Sequence, residues 1–313
     1  MAALDSSQRD RMGIAVLGAP VSAGAYAPGQ ERAPAALRDA GLLAALANVG
    51  LEPMDLGDIE AFRWRLDRSN PRCMNAEIVG QAVAQLARRL APVLAVDGAA
   101  IVIGGDCTVE IGTVAAAAAD GRSFGLVYID LDADLNTPLS TTDGALDWMG
   151  VAHMLGIEGT DRAVIAGVGP NPLLRPEQLL YFATGNVKPF ERDVIRRLGI
   201  AEIPLQDVVA DPAEASRRAV EWGSRFDRLL IHLDADVLDF AKFALAENTR
   251  RGIGLDYAQL IGCLAPLLRA PNWRFLTLTE INPEHCSDAP EDLTRLCLDL
   301  AALLGGSHLE KGH

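Results

Sequence analysis

Short, almost entirely apolar segments alternate with longer helical patterns along most of this 313-residue chain. The apolar segments that we predict to be strands are residues 13–17, 99–103, 124–129, 163–168, 228–233 and 275–279. The segments with helical periodicity are residues 33–46, 76–90, 108–119, 191–198, 213–225, 257–268 and 293–304. Because strands that are apolar on both faces lie in sheets covered on both sides, the alternation predicts an α/β fold with a mainly parallel sheet and helices on both faces.

The organisation of the chain favours one domain. The sequence has no internal repeat and no linker rich in proline, glycine or serine, so we predict a single domain over residues 1–313. Residues 1–10 and 305–313 lie outside the apolar pattern and are predicted to be frayed tails. Two connections, residues 170–185 and 240–251, are long enough to be functional loops.

The charge and the cysteines exclude several classes of protein. The chain has a net charge of −14, whereas a nucleic-acid-binding protein needs a basic surface. No segment reaches the roughly 18 consecutive apolar residues that span a bilayer, so no membrane partner is expected. The five cysteines are scattered without a CxxC pair, which indicates reduced thiols and a cytoplasmic location. A negative surface suits a small cationic substrate or a divalent cation.

Acidic side chains follow several predicted strands at the point where each strand ends. These strand-end residues are Asp106, Asp130, Asp132, Asp134, Asp234, Asp236 and Glu280, with Cys107 beside the first of them. Because the carboxyl ends of parallel strands meet at one edge of a sheet, we expect these side chains to lie together. The side-chain period of two also places alternate aspartates of each DxD run in one direction while the backbone stays extended.

A cluster of carboxylates is unfavourable without positive charge. Two like charges about 4 Å apart repel by roughly 4 kcal/mol at an effective dielectric constant near 20. Clustered aspartates therefore bind protons or cations, and a pair of divalent ions offsets most of their charge. A single DxD run is ordinarily a solvated strand-end loop. Two runs, each directly after a buried strand, favour a metal site.

Four motifs in one order carry a resemblance to a known family. They are GGDC at 104–107, DLDAD at 130–134, HLDAD at 232–236 and EINP at 280–283. The chain resembles the ureohydrolases, the family of arginase and agmatinase, whose motifs are GGDH, DAHxD, SxDxD and E(V/I)NP. The resemblance extends from about residue 13 to residue 304. It implies a three-layer α/β/α domain around a central eight-stranded parallel sheet, and trimers or hexamers of identical chains.

The resemblance also implies two divalent metal ions, with Mn²⁺ as the expected metal. The residues that it assigns to the first ion are Cys107, Asp130, Asp134 and Asp234. The residues that it assigns to the second ion are Asp130, Asp132, Asp234 and Asp236. Asp130 and Asp234 would bridge the two ions, and Asp134 would also accept a hydrogen bond from a bridging hydroxide.

The activity that the resemblance implies is hydrolysis of a guanidino or amidino compound to urea and an amine. Glu280 would pair with the guanidinium group, and the loop that contains Asn136, Thr141 and Asp143 would bind the rest of the substrate. Asp147 stands where arginases carry a proton-shuttling histidine; a carboxylate can serve there if its pKa is raised. The loop at residues 169–172 lacks the acid with which arginases hold the substrate's α-amino group, so free arginine is not the assured substrate.

Two replacements distinguish this chain from the family pattern. Cys107 and Asp132 stand where the family has ligand histidines. Asp132 favours a hard ion such as Mn²⁺ or Mg²⁺, whereas Cys107 favours Zn²⁺ or Fe²⁺ if it is a ligand and not a buried apolar residue. His232 is either a positioning donor beneath the metals or a core histidine. Two alternatives stay open: a metal-poor, inactive scaffold with a binding or regulatory role, and hydrolysis of an amide or formimino bond on the same fold.

Overall fold

The structure is a computed structural model that describes residues 13–287 and 289–309, with side chains described up to residue 306. Its strands are β1 (Ala15–Gly18), β2 (Met54–Asp58), β3 (Ala100–Ile103), β4 (Phe124–Ile129), β5 (Leu179–Phe182), β6 (Ala201–Ile203), β7 (Arg228–Asp234) and β8 (Trp273–Thr279). Its α-helices are α1 (Ala33–Asp39), α2 (Leu42–Asn48), α3 (Ala76–Ala95), α4 (Val109–Asp120), α5 (Gly150–Met154), α6 (Pro189–Leu198), α7 (Leu205–Ala210), α8 (Pro212–Gly223), α9 (Tyr257–Leu268) and α10 (Glu291–Leu309).

All eight strands belong to one sheet in the order β2-β1-β3-β8-β7-β4-β5-β6. Every neighbouring pair in that order is parallel. Every residue of β3 and β4 is buried, as expected for strands that helices cover on both faces. The predicted three-layer α/β/α fold with an eight-stranded parallel sheet is therefore confirmed.

Two apolar cores lie on the two faces of the sheet. One core contains Ile101 and Ile103 of β3 together with buried residues of α1, α2, α8, α9 and α10. The other contains Ala100 and Val102 of the same strand together with residues of α3, α4, α5 and α6. Alternate side chains of one strand thus enter opposite cores, which is why these strands are apolar throughout.

The sequence prediction was wrong for one strand and missed three. Residues 163–168 are outside the sheet, and Arg162–Ile165 forms a 3₁₀ turn whose first backbone N–H groups are capped by the side chain of Asp161. Strand β5 lies inside residues 170–185, which were predicted to be a loop. Strands β2 and β6 are the two edges of the sheet; they are short and partly exposed, so they lack the fully apolar pattern of the inner strands.

Several helix boundaries also differ from the prediction. Residues 33–46 form two helices, because Gly41 takes a left-handed conformation with φ of 94° between them. Helix α10 is assigned as far as Leu309, and fraying of residues 305–313 stays a prediction. The predicted frayed segment 1–10 and residues 310–313 lie outside the described residues. Among the described helices, none is both long enough and apolar enough to cross a bilayer.

The amino-terminal ends of the central strands are joined by a buried arginine. Arg228 begins β7 and is fully buried. Its Nε lies 2.7 Å from Oδ2 of Asp120, its Nη1 lies 3.0 Å from Oδ1 of Asp97, and its Nη2 donates to the carbonyl of Leu94 at 3.1 Å. One guanidinium therefore joins β7 to the end of α4 and to the turn after α3. This network is at the opposite end of the sheet from the predicted site.

Replacing Arg228 should destabilise the fold without touching the predicted site. We expect Arg228→Met to lower the free energy of unfolding by about 3 kcal/mol, because it leaves the carboxylate of Asp120 and the carbonyl of Leu94 without their buried cation, while Asp97 keeps its pair with Arg274. Urea denaturation measures this effect. Arg122→Met is the matched control, since Arg122 pairs with the same Asp97 from an exposed position and its loss should cost below about 1 kcal/mol. Equal losses in the two variants would contradict the role given to Arg228.

Candidate active site

A cavity of about 140 Å³ opens at the carboxyl edge of the sheet. Its wall includes nine of the residues predicted from the sequence: Cys107, Asp130, Asp132, Asp134, Asn136, Asp147, Asp234, Asp236 and Glu280. These residues come from separate parts of the chain, and they meet because β3, β8, β7 and β4 are consecutive in the sheet. The wall carries eight carboxylates in all, so the cavity is strongly negative.

Each DxD run folds into the same local turn at the end of its strand. The backbone N–H of Asp132 donates to Oδ1 of Asp130 at 2.7 Å, and that of Asp236 donates to Oδ1 of Asp234 at 2.7 Å. Aspartate readily forms this side-chain turn with the backbone two residues on. The turn fixes the first aspartate of each run and leaves its other oxygen, Oδ2, directed elsewhere.

The side chains form two clusters with metal-binding geometry. In the first, one ligand atom each of Cys107, Asp130, His232 and Asp234 lies within 4.8 Å of all the others. The second cluster contains Asp130, Asp132 and Asp236 by the same measure. Asp130 belongs to both clusters, so the two positions share a carboxylate.

The donor atoms of the two clusters fit divalent cations. Oδ2 of Asp130 and Oδ1 of Asp236 are buried and have no hydrogen-bond partner among the described residues. Such oxygens are costly to bury unless something pairs with them. Burial and neighbouring carboxylates raise the pKa of Asp130 and Asp234 well above the usual range, and the same causes raise that of Asp236 to about 7. Bound cations would relieve this crowding of negative charge.

Cys107 lies in the wall of the cavity at the start of α4. Its thiol donates to Oδ2 of Asp234 at 2.9 Å, and burial together with nearby carboxylates raises its pKa well above the usual value. The backbone two residues before Cys107 packs closely against another segment: a Cβ on Gly105 would lie 1.7 Å from the carbonyl oxygen of Val21. A side chain at position 105 would therefore displace the segment that carries Cys107.

His232 is a member of the first cluster and is fully buried. Its Nε2 is 3.7 Å from the sulfur of Cys107, and its Nδ1 is 3.3 Å from a carboxylate oxygen of Glu110. The ring stacks on Tyr128 with the centroids 3.9 Å apart. These contacts fix the orientation of the imidazole next to the thiol. The first cluster thus includes His232, whereas the resemblance assigns Asp134 to this position.

Asp134 lines the cavity but does not belong to either cluster of ligand atoms. It adopts a left-handed backbone conformation with φ of 51°, and its carboxylate accepts a hydrogen bond from the hydroxyl of Tyr128. The sequence prediction of Asp134 as a ligand of the first ion therefore stays a prediction. The structure brings it to the cavity wall with Tyr128 as its partner.

Glu280 occupies the floor of the cavity. One carboxylate oxygen accepts the backbone N–H of Cys107 at 3.0 Å, and the other accepts the side-chain amide of Gln30 at 2.9 Å. Burial and the charge of Asp234 raise its pKa well above the usual range. Two donors from different parts of the chain thus hold this carboxylate in one orientation, ready to pair with a cation that enters the cavity.

The remaining predicted residues divide into two groups. Asn136 and Asp147 line the cavity, and burial together with Asp106 raises the pKa of Asp147 well above the usual range. Thr141 and Asp143 lie outside the cavity wall, in an adjoining turn. The carboxylate of Asp143 is exposed and accepts the backbone N–H of Ala145.

Several polar residues of the cavity were not predicted. Arg250 pairs with Oδ2 of Asp132 at 3.0 Å, and Asn248 donates to Oδ2 of Asp236 at 3.2 Å. Asn186 also donates to Asp132, and Lys188 lies near it in the wall. Asn248 and Arg250 belong to residues 240–251, whose length alone predicts a functional loop. Residues 169–172, which were compared with the arginase substrate loop, are absent from the described wall.

The chain is similar to known proteins over most of its length. The family model described as Arginase family matches residues 12–302 of the chain. Mitochondrial arginase-2 of Rattus norvegicus is 28% identical over 312 residues, covering 96% of this chain and 86% of the rat protein. Human arginase-1 is 28% identical over 286 residues, covering 90% of this chain and 88% of its own length.

Solved structures show the same fold. The arginase from Bacillus caldovelox superposes with a TM-score of 0.84 at 24% identity, covering 94% of this chain and 98% of its own. A variant of Trypanosoma cruzi formiminoglutamase, solved with Mn²⁺, gives a TM-score of 0.72 at 16% identity over 97% and 96% of the two chains. Likenesses of this kind establish the fold, and the family model covers most of the sequence. The chain therefore belongs to the arginase family.

Proposed function

We propose that this protein is a metal-dependent hydrolase that cleaves a guanidino compound to urea and an amine. The observation that carries the proposal is the junction of two carboxylate-rich clusters through Asp130, with Glu280 held in the same cavity. The arginases among its relatives act on a substrate of this chemistry. The proposed metals are two divalent ions, with Mn²⁺ as the expected one.

Three residues of this chain would have different roles in the hydrolysis. A pair of divalent ions, when bound, lowers the pKa of a shared water and supplies hydroxide at neutral pH. Glu280 would pair with the guanidinium group of the substrate, because its two oxygens are already oriented by Cys107 and Gln30. Asp134, oriented by Tyr128, would accept a hydrogen bond from the attacking water. Asp147, whose pKa is raised, would hand a proton to the leaving amine.

We also propose that the protein is cytoplasmic and forms homo-oligomers. All five cysteines are free and buried, which agrees with a reducing compartment. The oligomer rests on the family resemblance. Size-exclusion chromatography with light scattering measures it directly.

The ion content of the purified chain tests the metal proposal. After chelation and readdition of Mn²⁺, we expect two ions per chain by inductively coupled plasma mass spectrometry. Asp130→Asn should weaken both positions, because Asp130 belongs to both clusters. Asp143→Asn is the matched control and should bind two ions, since its carboxylate lies outside the cavity wall. If the wild-type chain binds no ion from excess Mn²⁺, the inactive scaffold is the better interpretation.

Urea release from guanidino compounds tests the chemistry. We expect Glu280→Gln to lower kcat/KM by about 10²-fold or more, because it removes the buried charge that pairs with the guanidinium. Its content of Mn²⁺ should change little. Glu284→Gln is the control, since Glu284 lies four residues further on and pairs with Arg32 at the surface. Full activity of Glu280→Gln would refute the role given to Glu280. Inactivity on guanidino compounds, together with release of formamide from a formimino compound, would support formimino hydrolysis instead.

Lys188 should influence which guanidino compound is preferred. Lys188 and Arg250 carry the positive charges among the described wall residues, and Arg250 is already paired with Asp132. Lys188 therefore favours a substrate whose far end is a carboxylate. We expect Lys188→Glu to shift the ratio of kcat/KM for a guanidino acid over agmatine by at least tenfold towards agmatine. Lys188→Arg, which keeps the charge, should preserve the wild-type ratio. An unchanged ratio in Lys188→Glu would contradict this preference.

A further inference from the structure

Arg250 brings a permanent positive charge to one of the two clusters. It lies in the long connection after β7, and its Nη2 is 3.0 Å from Oδ2 of Asp132. Its side chain is about a quarter exposed, at 26%. Its Nη1 is buried and has no hydrogen-bond partner among the described residues. The guanidinium therefore stands against the second cluster with one of its donors unused.

Within the described part of the chain, Arg250 forms its side-chain ion pair with Asp132, and its charge also reaches Asp236 and Asp130. Asp132 belongs to the cluster with Asp130 and Asp236, and it is absent from the cluster with Cys107. Asp132 is also the residue that adds a carboxylate where the family pattern has a neutral histidine. Arg250 thus offsets the charge that this replacement adds, at the same position.

The charges of the two DxD runs alone balance those of two divalent ions when Arg250 is counted. The five aspartates of the two DxD runs carry five negative charges when ionised, and Arg250 brings the total to −4. Two divalent ions supply +4. An ion that binds at the second cluster approaches a resident cation, whereas an ion that binds at the first cluster meets no such neighbour in the described structure. Like charges repel, so the free energy of binding an ion differs between the two clusters.

We propose that Arg250 is a built-in counter-cation that makes the two metal positions unequal. The cluster with Cys107 binds its ion first and tightly, and the cluster with Asp132 binds its ion second and weakly. This inference rests on the proposed function, because it requires that both clusters bind metal. It adds an order of loading and identifies Arg250 as the residue that sets it.

The unpaired oxygens indicate that the second cluster can still bind an ion, although weakly. Oδ1 of Asp236 and Oδ2 of Asp130 are buried without a hydrogen bond in the described structure, even with Arg250 in place. Arg250 pairs directly with Asp132, and neither of the two unpaired oxygens accepts a hydrogen bond from it. An ion can still gain from both oxygens, at the cost of repulsion from the guanidinium.

A Mn²⁺ titration of the full-length, chelator-treated protein tests the proposal. By isothermal titration calorimetry, the wild type should show two classes of site whose dissociation constants differ at least tenfold. Arg250→Met removes the charge and retains much of the side-chain volume. We expect Arg250→Met to lower the dissociation constant of the weak class at least tenfold. The dissociation constant of the tight class should change by less than about threefold. Arg250→Lys, which keeps the charge, should retain two unequal classes.

A second readout separates loading order from folding. Without metal, Arg250→Met should have a lower melting temperature than the wild type, because its carboxylates lose their resident cation; saturating Mn²⁺ should reduce the difference. Arg251→Met is the matched control, since Arg251 packs on Phe240 outside the cavity wall, and it should leave both constants unchanged. If Arg250→Met fails to fold, Arg250→Gln is titrated in its place.

Three outcomes would overturn the inference. In the first, Arg250→Met leaves the dissociation constant of the weak class within twofold of the wild-type value. In the second, Arg250→Met changes the dissociation constant of the tight class instead. In either case Mn²⁺ still binds, and the proposed function stands. The third is that wild type and variants alike bind no Mn²⁺, in which case the metal-dependent function fails together with the order of loading.

Discussion

Repulsion among buried carboxylates is the constraint on which the rest of this site depends. The parallel sheet brings two DxD runs to one edge, where they share a cavity with Glu280. Burial removes the water that would otherwise screen these charges, so the protein must supply protons, donors or cations. Each contact described around the cavity contributes to that balance. Tyr128 donates to Asp134, Cys107 donates to Asp234, and Arg250 pairs with Asp132.

The buried charges at the two ends of strand β7 are paired to different extents. At its start, Arg228 lies with the carboxylates of Asp97 and Asp120, and Arg274 also pairs with Asp97, so the charges are paired within the chain. At its end, Asp234 is enclosed with further aspartates, and protein groups pair only part of the charge. A fully paired cluster stabilises a fold, whereas an incompletely paired one is open to a ligand. The same strand therefore serves the stability of the sheet at one end and the site at the other.

The replacements at positions 107 and 132 are accompanied by partners elsewhere in the structure. Beside the thiol of Cys107 the chain places an imidazole, that of His232, which lies in the same cluster of ligand atoms. Beside the carboxylate of Asp132 it places the guanidinium of Arg250. Each replacement thus has a polar partner in the structure, which supports the proposal of retained chemistry. Fold alone would not decide this, because one fold serves several activities.

The sequence by itself determined the class of fold and most of the cavity. Uninterrupted apolar segments specify strands that are covered on both faces, and DxD runs directly after them place aspartates at the carboxyl edge. The sequence did not reveal strands β2 and β6, because partly exposed edge strands carry a weak apolar pattern. Strand β5 is apolar and buried, but its four residues lie inside a segment that the sequence analysis interprets as a loop. Only the tertiary structure decided which polar partners reach the aspartates. Arg250, Asn248 and Asn186 arrive from connections whose path depends on packing across the whole molecule, so no local pattern marks them.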